Sequence, residues 1–501
     1  MVDNGGNGKG SEKPEGAQSA QDAELAESRV RWWIVGRFSP TPSGTRRAIT
    51  PDEAASPFKN APLAITVSVV DRLGASKETA YTVAFGKVSD LTIAEVIRSN
   101  PTLAALREWA DKRIASVEPK LAAAALEAIS GPGRLVDAAR DIGAGDPATA
   151  RKPLRALVER AVFETARDVL VAPGVAELES AWRGLRLVAD RCGKEIELSV
   201  IDVNAADAAT RVDEELGALA SFDRPDAIFI TEPVASVEEI SRWGGIGADY
   251  NVPVVVEGTP RLIGGEDLMA LSTLSHESRP DASWNDLRAE EGSLFVCVAL
   301  NRLVGKVDGA GVATRTSLVG PAFGLAALLS QSFLATGGPG RIFGSVGGLV
   351  AGGTHEITGR GEPLAIALEA FFSIDIQTRL AAQGVLGLGG PRNSDRVQLS
   401  VAPMLSSAKE AGGLPAQLLT ARSIRFAQWA RDQIPTGTPD LDVIAIFEQG
   451  AAALLFPNKD VAQMNATVTE LEGARMVVLR TRARGEWLGV PMDASFALPL
   501  R

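Results

Sequence analysis

Leu178-Glu179-Ser180-Ala181-Trp182-Arg183-Gly184-Leu185-Arg186-Leu187-Val188-Ala189-Asp190-Arg191 says more about the fold than any other stretch of this chain. Leu178, Trp182, Leu185 and Val188 or Ala189 recur at the spacing of one helical face, with Arg183, Arg186 and Arg191 off it. That pattern predicts an amphipathic helix over 175–191, anchored in a core by its tryptophan. Working outward, 154–170 reads as a second helix. Downstream, strands at 195–202, 227–231 and 252–257 alternate with helices at 206–220 and 236–249. Such alternation predicts a parallel or mixed sheet flanked by helices. The unbroken apolar run Val252–Val256 fits a strand covered on both faces.

At 501 residues the chain is long enough for two or three domains. Its 45% hydrophobic and 23% charged content is that of a soluble globular protein. A net charge of −11 argues against binding driven by phosphate neutralisation, so no nucleic-acid partner is expected. Arg475, Arg480, Arg482 and Arg484 interleave with Val477, Val478 and Leu479, as on a strand with one solvated face. Cys192, Cys297, His276 and His355 are scattered singly. They supply neither a disulfide framework nor a zinc site of the usual spacing, and a reducing cytoplasm fits. The most apolar stretch, 318–334, is interrupted by Gly, Pro, Gln and Ser and falls short of a membrane span of about 20 residues.

Residues 1–28, rich in Gly, Ser, Glu and Lys, hold too little apolar surface to order themselves. Order is expected from Val30-Arg31-Trp32-Trp33-Ile34-Val35-Gly36, a short β-like run. Strands at 63–70 and 78–85 follow, with Ile65, Val67 and Val69 alternating with Thr66 and Ser68. A helix over 94–112, broken at Asn100-Pro101, closes this small layer. Gly131-Pro132-Gly133 and Gly143-Ala144-Gly145-Asp146-Pro147 flank a short helix-like stretch and mark a linker. The expected organisation is a disordered segment (1–28), a small β-rich domain (29–118), a Gly/Pro-rich linker with a short helix (119–153) and a larger α/β domain (154–501).

The glycine-rich run from Gly337 to Gly353 invites a phosphate-loop reading. It lacks the terminal Gly-Lys-Ser/Thr that would reach phosphate and magnesium, and a helix-like segment precedes it where a strand is required. A structural turn is expected there. No Gly-x-Ser-x-Gly elbow occurs. Asp249-Tyr250 and Glu266-Asp267 read as loop or cap positions. His355, beside Glu356, has no nucleophile near it in sequence. No catalytic, cofactor or metal site is expected; nucleotide binding by the glycine-rich segment stands as the enzymatic alternative.

The order of residues says more than their spacing. Glu179-x-x-Trp182-Arg183-Gly184-Leu185, with Leu187-Val188-x-Asp190-Arg191, resembles the signature of the large subunit of the type VI secretion contractile sheath. Further blocks resemble that subunit in the family's order. They are Trp284 with Leu287-Arg288 and Glu290; Gly320-Pro321-Ala322; Ser332-Phe333; Gly344 with Gly347-Gly348-Leu349-Val350; Leu380 to Leu388; Asn393-Ser394-Asp395; and Arg425-Phe426-Ala427-Gln428-Trp429. The first third is similar to the small sheath subunit instead, through Val35-Gly36-Arg37-Phe38, Val69 to Leu73, Val83 to Leu91 with Phe85 and Asp90, and Pro101-x-Leu103-x-x-Leu106-Arg107. Two subunits that pair as separate chains in the family look fused here.

The resemblance implies a phage-tail-sheath-like fold, a small β-rich domain joined to a larger mixed α/β one, and a structural protein instead of an enzyme. Such a subunit stacks as hexameric rings into a helical sheath around an inner-tube protein, on a baseplate, and contracts to drive effectors into a target cell. An AAA+ unfoldase that recycles the sheath is a further implied partner, the cytoplasm the implied location, and no cofactor or membrane insertion is implied. Trp182, Arg183, Gly184, Leu185, Phe85, Asp90, Arg107, Gly347, Gly348, Arg425 and Phe426 are the implied core and assembly positions. Neighbouring subunits of the family are laced by strand addition. Here residues 1–28 lack a strand pattern, and the C-terminal part offers a hairpin at 466–471 and 475–482 with little after it. A non-polymerising adaptor, baseplate or scaffold component is therefore the first alternative.

Overall fold

The computed structural model describes residues 29–271, 282–310, 313–358, 362–408, 412–456, 460–471, 473–485 and 492–500. The segment 1–28 and His276 lie outside the described residues. The chain opens with β1 (Val30–Gly36), β2 (Arg46–Ala48), α1 (Pro51–Ala55) and a hairpin of β3 (Leu63–Val70) and β4 (Glu78–Phe85). Helices α2 (Ile93–Ser99), α3 (Pro101–Glu108), α4 (Ala122–Ser130), α5 (Arg134–Gly143), α6 (Pro147–Val171) and α7 (Pro173–Ala189) follow. Asn100 makes the expected break: it ends α2, and its side chain accepts a hydrogen bond from the Leu103 N–H to cap α3.

Residues 119–153, expected as a linker with a short helix, hold α4, α5 and the start of α6. Leu126, Leu135, Val136 and Ala139 are buried in one core with Trp109 and Val158. Gly131 and Gly133, with φ of 75° and 155°, turn the chain between α4 and α5. The glycines thus bend a packed helical layer, whose apolar positions hold it to the hairpin. Pro147 stands in the first turn of α6, where a missing N–H is harmless, and Pro153 lies inside that 25-residue helix.

The larger part runs β5 (Ile196–Asp202), α8 (Ala205–Gly217), β6 (Ala227–Val234), α9 (Val237–Tyr250), β7 (Val254–Gly258), α10 (Leu268–Leu271), α11 (Ala282–Ala289) and β8 (Val296–Leu300). After them come β9 (Leu303–Ala310), β10 (Ala313–Val319), α12 (Pro321–Thr336), β11 (Leu349–Val350), β12 (His355–Ile357), β13 (Leu364–Ile366), α13 (Ile374–Ala382), β14 (Val385–Gly387) and β15 (Arg396–Val397). The central sheet has seven strands in the order β14-β8-β7-β6-β1-β5-β2. All its pairings are parallel except that of β2 with β5. The fold is mixed α/β, as expected.

The position of β1 corrects the sequence reading. It was expected in the small layer, but it lies between β5 and β6, with Val30 opposite Ile196 and Gly36 opposite Asp202. Its composition explains this. Trp32 and Ile34 enter one core with Leu198, Phe229 and helices α7 and α12. Trp33 and Val35 enter the other with Ile228, Ile230 and helices α8 and α9. A strand apolar on both faces is stable only where both faces are covered.

A further core holds α14 (Leu414–Gln433), α15 (Asp440–Leu454) and an antiparallel sheet of β16 (Ala462–Leu471), β17 (Ala474–Ala483) and β18 (Met492–Pro499). The hairpin read at 466–471 and 475–482 is β16–β17. The sequence reading missed β18, in which half-buried Met492, Ala494, Phe496 and Leu498 alternate with exposed residues. Small Ala and Ser residues weaken that alternation in sequence. Arg475 pairs with Asp440, and Arg480 and Arg482 pair with Asp493, on the solvated side. Among the described residues no helix is long and apolar enough to cross a membrane.

Candidate functional site: the junction of the two halves

Helix α7 places Trp182 where the small layer meets the central sheet. Its indole Nε1–H donates to the Phe38 carbonyl at 2.8 Å. Its ring meets Phe38 and Phe58 edge-on, at centroid distances of 5.5 and 5.4 Å. Phe58 in turn meets Phe85 at 6.0 Å. Leu185 is fully buried one turn on. Gly184 lets α12 approach: a Cβ there would lie 2.4 Å from the Phe323 ring.

Beside this aromatic cluster lies a buried charge network. Glu179 accepts two bonds from Arg315, at 2.7 and 2.8 Å, and one from Arg183 at 2.7 Å. Arg315 also donates to Asp308 at 3.1 Å. The Glu179 and Arg315 side chains are only 2% and 4% exposed, so each charge depends on its partners. Burial opposes the charge of Arg315, but bonds and proximity to Glu179 and Asp308 outweigh it and raise its pKa. Two carboxylates balance two guanidiniums. The outer bonds of the network both land on one turn of the small layer: Arg183 donates to the Leu91 carbonyl, and Asp308 accepts from the Ile93 N–H. Asp90 holds that turn by accepting from the N–H groups of Gly86 and Lys87, each at 3.0 Å. The network clamps small layer, α7 and the β9–β10 hairpin together.

The remaining expected positions lie elsewhere. Arg425 and Phe426 sit on α14. Arg425 donates to Asp226 at 2.6 Å and to the Asn251 carbonyl, and burial lowers its pKa to about 10 against the pull of Asp226. Phe426 meets Phe222 edge-on at 5.7 Å. Together they fasten α14 to the ends of the central strands. Gly347 and Gly348 belong to the turn after α12, where the N–H groups of Gly344 and Gly347 donate to the Leu399 and Phe343 carbonyls. These donors are spent within the chain, as in the structural turn expected, and Leu349 goes on to pair with Val397. Arg107 is on the surface, paired with Asp111 at 2.9 Å. His355 Nε2 lies 2.7 Å from the Leu368 carbonyl. Asp267 caps a helix start, accepting from the Ala270 N–H at 2.7 Å.

The structure brings Trp182, Arg183, Gly184, Leu185, Phe85 and Asp90, which the sequence singled out separately, to one junction, and adds Phe58, Asp308 and Arg315, which the sequence reading did not name. A signal for Arg315 was available: in β10 it shares the inward phase of Ser317 and Val319. The geometry of the junction suits holding, since its donors and acceptors are matched to one another.

No protein-family model matches the chain, and no curated protein does. Solved structures do. The anti-feeding prophage (AFP) baseplate, by cryo-EM, matches over 64% of this chain and 77% of its own, at 9% identity and TM-score 0.37. The PVC sheath complex of an extracellular contractile injection system, in the contracted state, covers 64% and 77% at 11% identity and TM-score 0.35. The contracted AFP helical sheath covers 64% and 79%, at 11% identity and TM-score 0.35.

Proposed function

We propose that this chain is a structural subunit of a contractile sheath of the type VI secretion kind, with small-subunit and large-subunit portions (29–118 and 154–501) joined through 119–153. One observation carries the reading: the blocks that resemble the two subunits meet. Phe38, Phe85 and Leu91, from blocks of the first third, are joined to Trp182 and Arg183 of the large-subunit signature, directly or through Phe58. Strand β1, from the small-subunit-like part, completes the sheet of the large-subunit-like part. Two chains that had to associate would need such an interface, and fusion makes it permanent.

Strand β18 supports assembly. Among the described residues it pairs only with β17, so its other edge could take an added strand from a neighbouring copy. In this reading the subunits stack as hexameric rings around an inner-tube protein, on a baseplate, and contract to deliver effectors. An unfoldase would recycle the contracted form in the cytoplasm. Negative-stain electron microscopy of the chain, without and with its inner-tube partner, tests this. Hollow striated cylinders are the expected result. Small monodisperse particles in both samples would overturn it and favour an adaptor or baseplate component.

A further inference from the structure

The carboxyl ends of β1, β5, β6 and β7 open onto a cavity of about 900 Å³, closed on the other side by α7 and β10. The strand order reverses here, since the chain runs outward from β1 first to β5 and then to β6, β7 and β8. Open α/β sheets bind ligands at such a switch point, and the volume suits a small molecule. The walls between the polar groups are apolar, with Leu170, Val171, Leu318 and Phe323 among them.

Among the described residues, the buried charged side chains of this cavity with unmet hydrogen-bonding capacity are carboxylates. Its three arginines are engaged: Arg315 with Glu179 and Asp308, Arg302 with Glu369 through two bonds of 2.7 and 2.8 Å, and Arg37 with the Ser39 and Pro40 carbonyls and with Glu177. Glu257 is only 6% exposed and lines the cavity, yet it closes no hydrogen bond or ion pair among the described residues. On the adjacent strand, Glu232 faces the N–H groups of Arg37 and Ala205, which fills the start of α8 with a carboxylate already, while its Oε1 has no partner. The register that sets Pro233 opposite Glu257 places these two glutamates on neighbouring strand ends.

We propose that the cavity binds a small organic cation of the alkylammonium class, with Glu257 as its buried counter-ion and Glu232 as a second acceptor. An anion would meet guanidiniums already paired and two carboxylates with unspent acceptor oxygens; an ammonium meets those acceptors and an apolar wall for its carbon chain. Burial pushes the Glu257 carboxyl up to about 8, with Arg302 opposing and Glu369 adding to the rise. The empty site therefore holds a proton at neutral pH, which the ammonium displaces to the solvent on binding. Arg302, Glu369, Glu232, Arg37, Glu177, Glu179 and Arg315 are the charged groups around the site, and the arginines among them stay paired. The site stands apart from the sheath reading, because it is read on the unassembled chain.

Isothermal titration calorimetry of the full chain with butylammonium and with spermidine tests the proposal. Saturable binding is expected at pH 8.5, weakening about tenfold for each pH unit below 8; proton release should rise from about a quarter of a proton at pH 8.5 to about one at pH 7, visible as a dependence on buffer ionisation heat. Glu257→Gln should weaken binding at least about tenfold and remove the pH dependence. Glu232→Gln should weaken it less; Glu356→Gln, outside the cavity, should leave it unchanged. If Glu257→Gln does not fold, Glu232→Gln and the proton release of the unaltered chain decide. No saturable heat at pH 8.5, butyrate binding in place of the amines, or affinity indifferent to the cavity variants would overturn the proposal. Binding of Nα-acetyl-lysinamide but of neither amine would overturn it too, moving the cation to a polypeptide side chain.

Discussion

β1 and β18 are strands of seven and eight residues put to opposite uses. Strand β1 is paired on both edges, and six of its residues are buried, all but Arg31. Strand β18 is paired on one edge only among the described residues, and every second residue is exposed. The first ties the two portions of the chain into one body. The second leaves backbone donors and acceptors at the surface, where another strand can meet them. If β18 takes up an added strand as proposed, stability and assembly are separated: substitutions at the junction should cost folding free energy, and substitutions near β18 should not.

The largest expected effect tests the junction directly. Trp182→Ala should lower stability by about 3–5 kcal/mol, because it empties the space between Phe38 and Phe58 and leaves the Phe38 carbonyl without its donor. Urea unfolding measures this, and a loss below about 1 kcal/mol would show that the junction does not hold the protein together. Arg315→Met should cost about 3 kcal/mol by leaving Asp308 buried without a cation and Glu179 with Arg183 alone, with part of the loss recovered when Glu179 is replaced by Leu as well. Gly184→Ala should cost about 1–3 kcal/mol, since the added methyl meets the Phe323 ring and α12 must move away.

Smaller effects sharpen the contrast. The Glu257 pKa is raised from about 4.5 to about 8, so the folded chain keeps a proton that the unfolded chain releases. Its contribution is fully present below about pH 4.5 and is lost as pH rises towards 8. Thermal melts from about pH 5 to 9 should show Glu257→Gln lacking this decline, and parallel curves would refute the shift. The smallest effect belongs to β18. Asp493→Asn breaks its exposed pairs with Arg480 and Arg482 and should leave the melting temperature unchanged. A clear drop would mean that β18 is as integral to the fold as β1.

Much of the secondary structure was legible. The hairpin strands 63–70 and 78–85 carry a period of two, and the run from 175 to 257 alternates apolar strands with amphipathic helices. Each is a local pattern, set by how side chains repeat along one backbone. The linker reading failed because glycine and proline mark turns equally well in a mobile connection and in a tight helical layer. Only the burial of Leu126, Leu135 and Val136 tells the two apart. Of the junction, Trp182, Arg183 and Gly184 were visible as an ordered motif. Arg315 and Asp308 were not, because an arginine and an aspartate on a hairpin read as solvated until something covers them.

From its sequence this protein had the strands and helices of 154–257, the 63–85 hairpin and the ordered motif blocks determined, since these follow from local periodicity and residue order. Tertiary structure decided where β1 inserts, that Glu179, Arg183, Arg315 and Asp308 form a closed network on the 91–93 turn, and that Glu257 faces a cavity with no partner among the described residues. The physical reason is the same in each case. Strand partners, buried charge pairs and cavities depend on which surfaces meet after the chain has folded, and residues far apart in sequence carry no mark of one another.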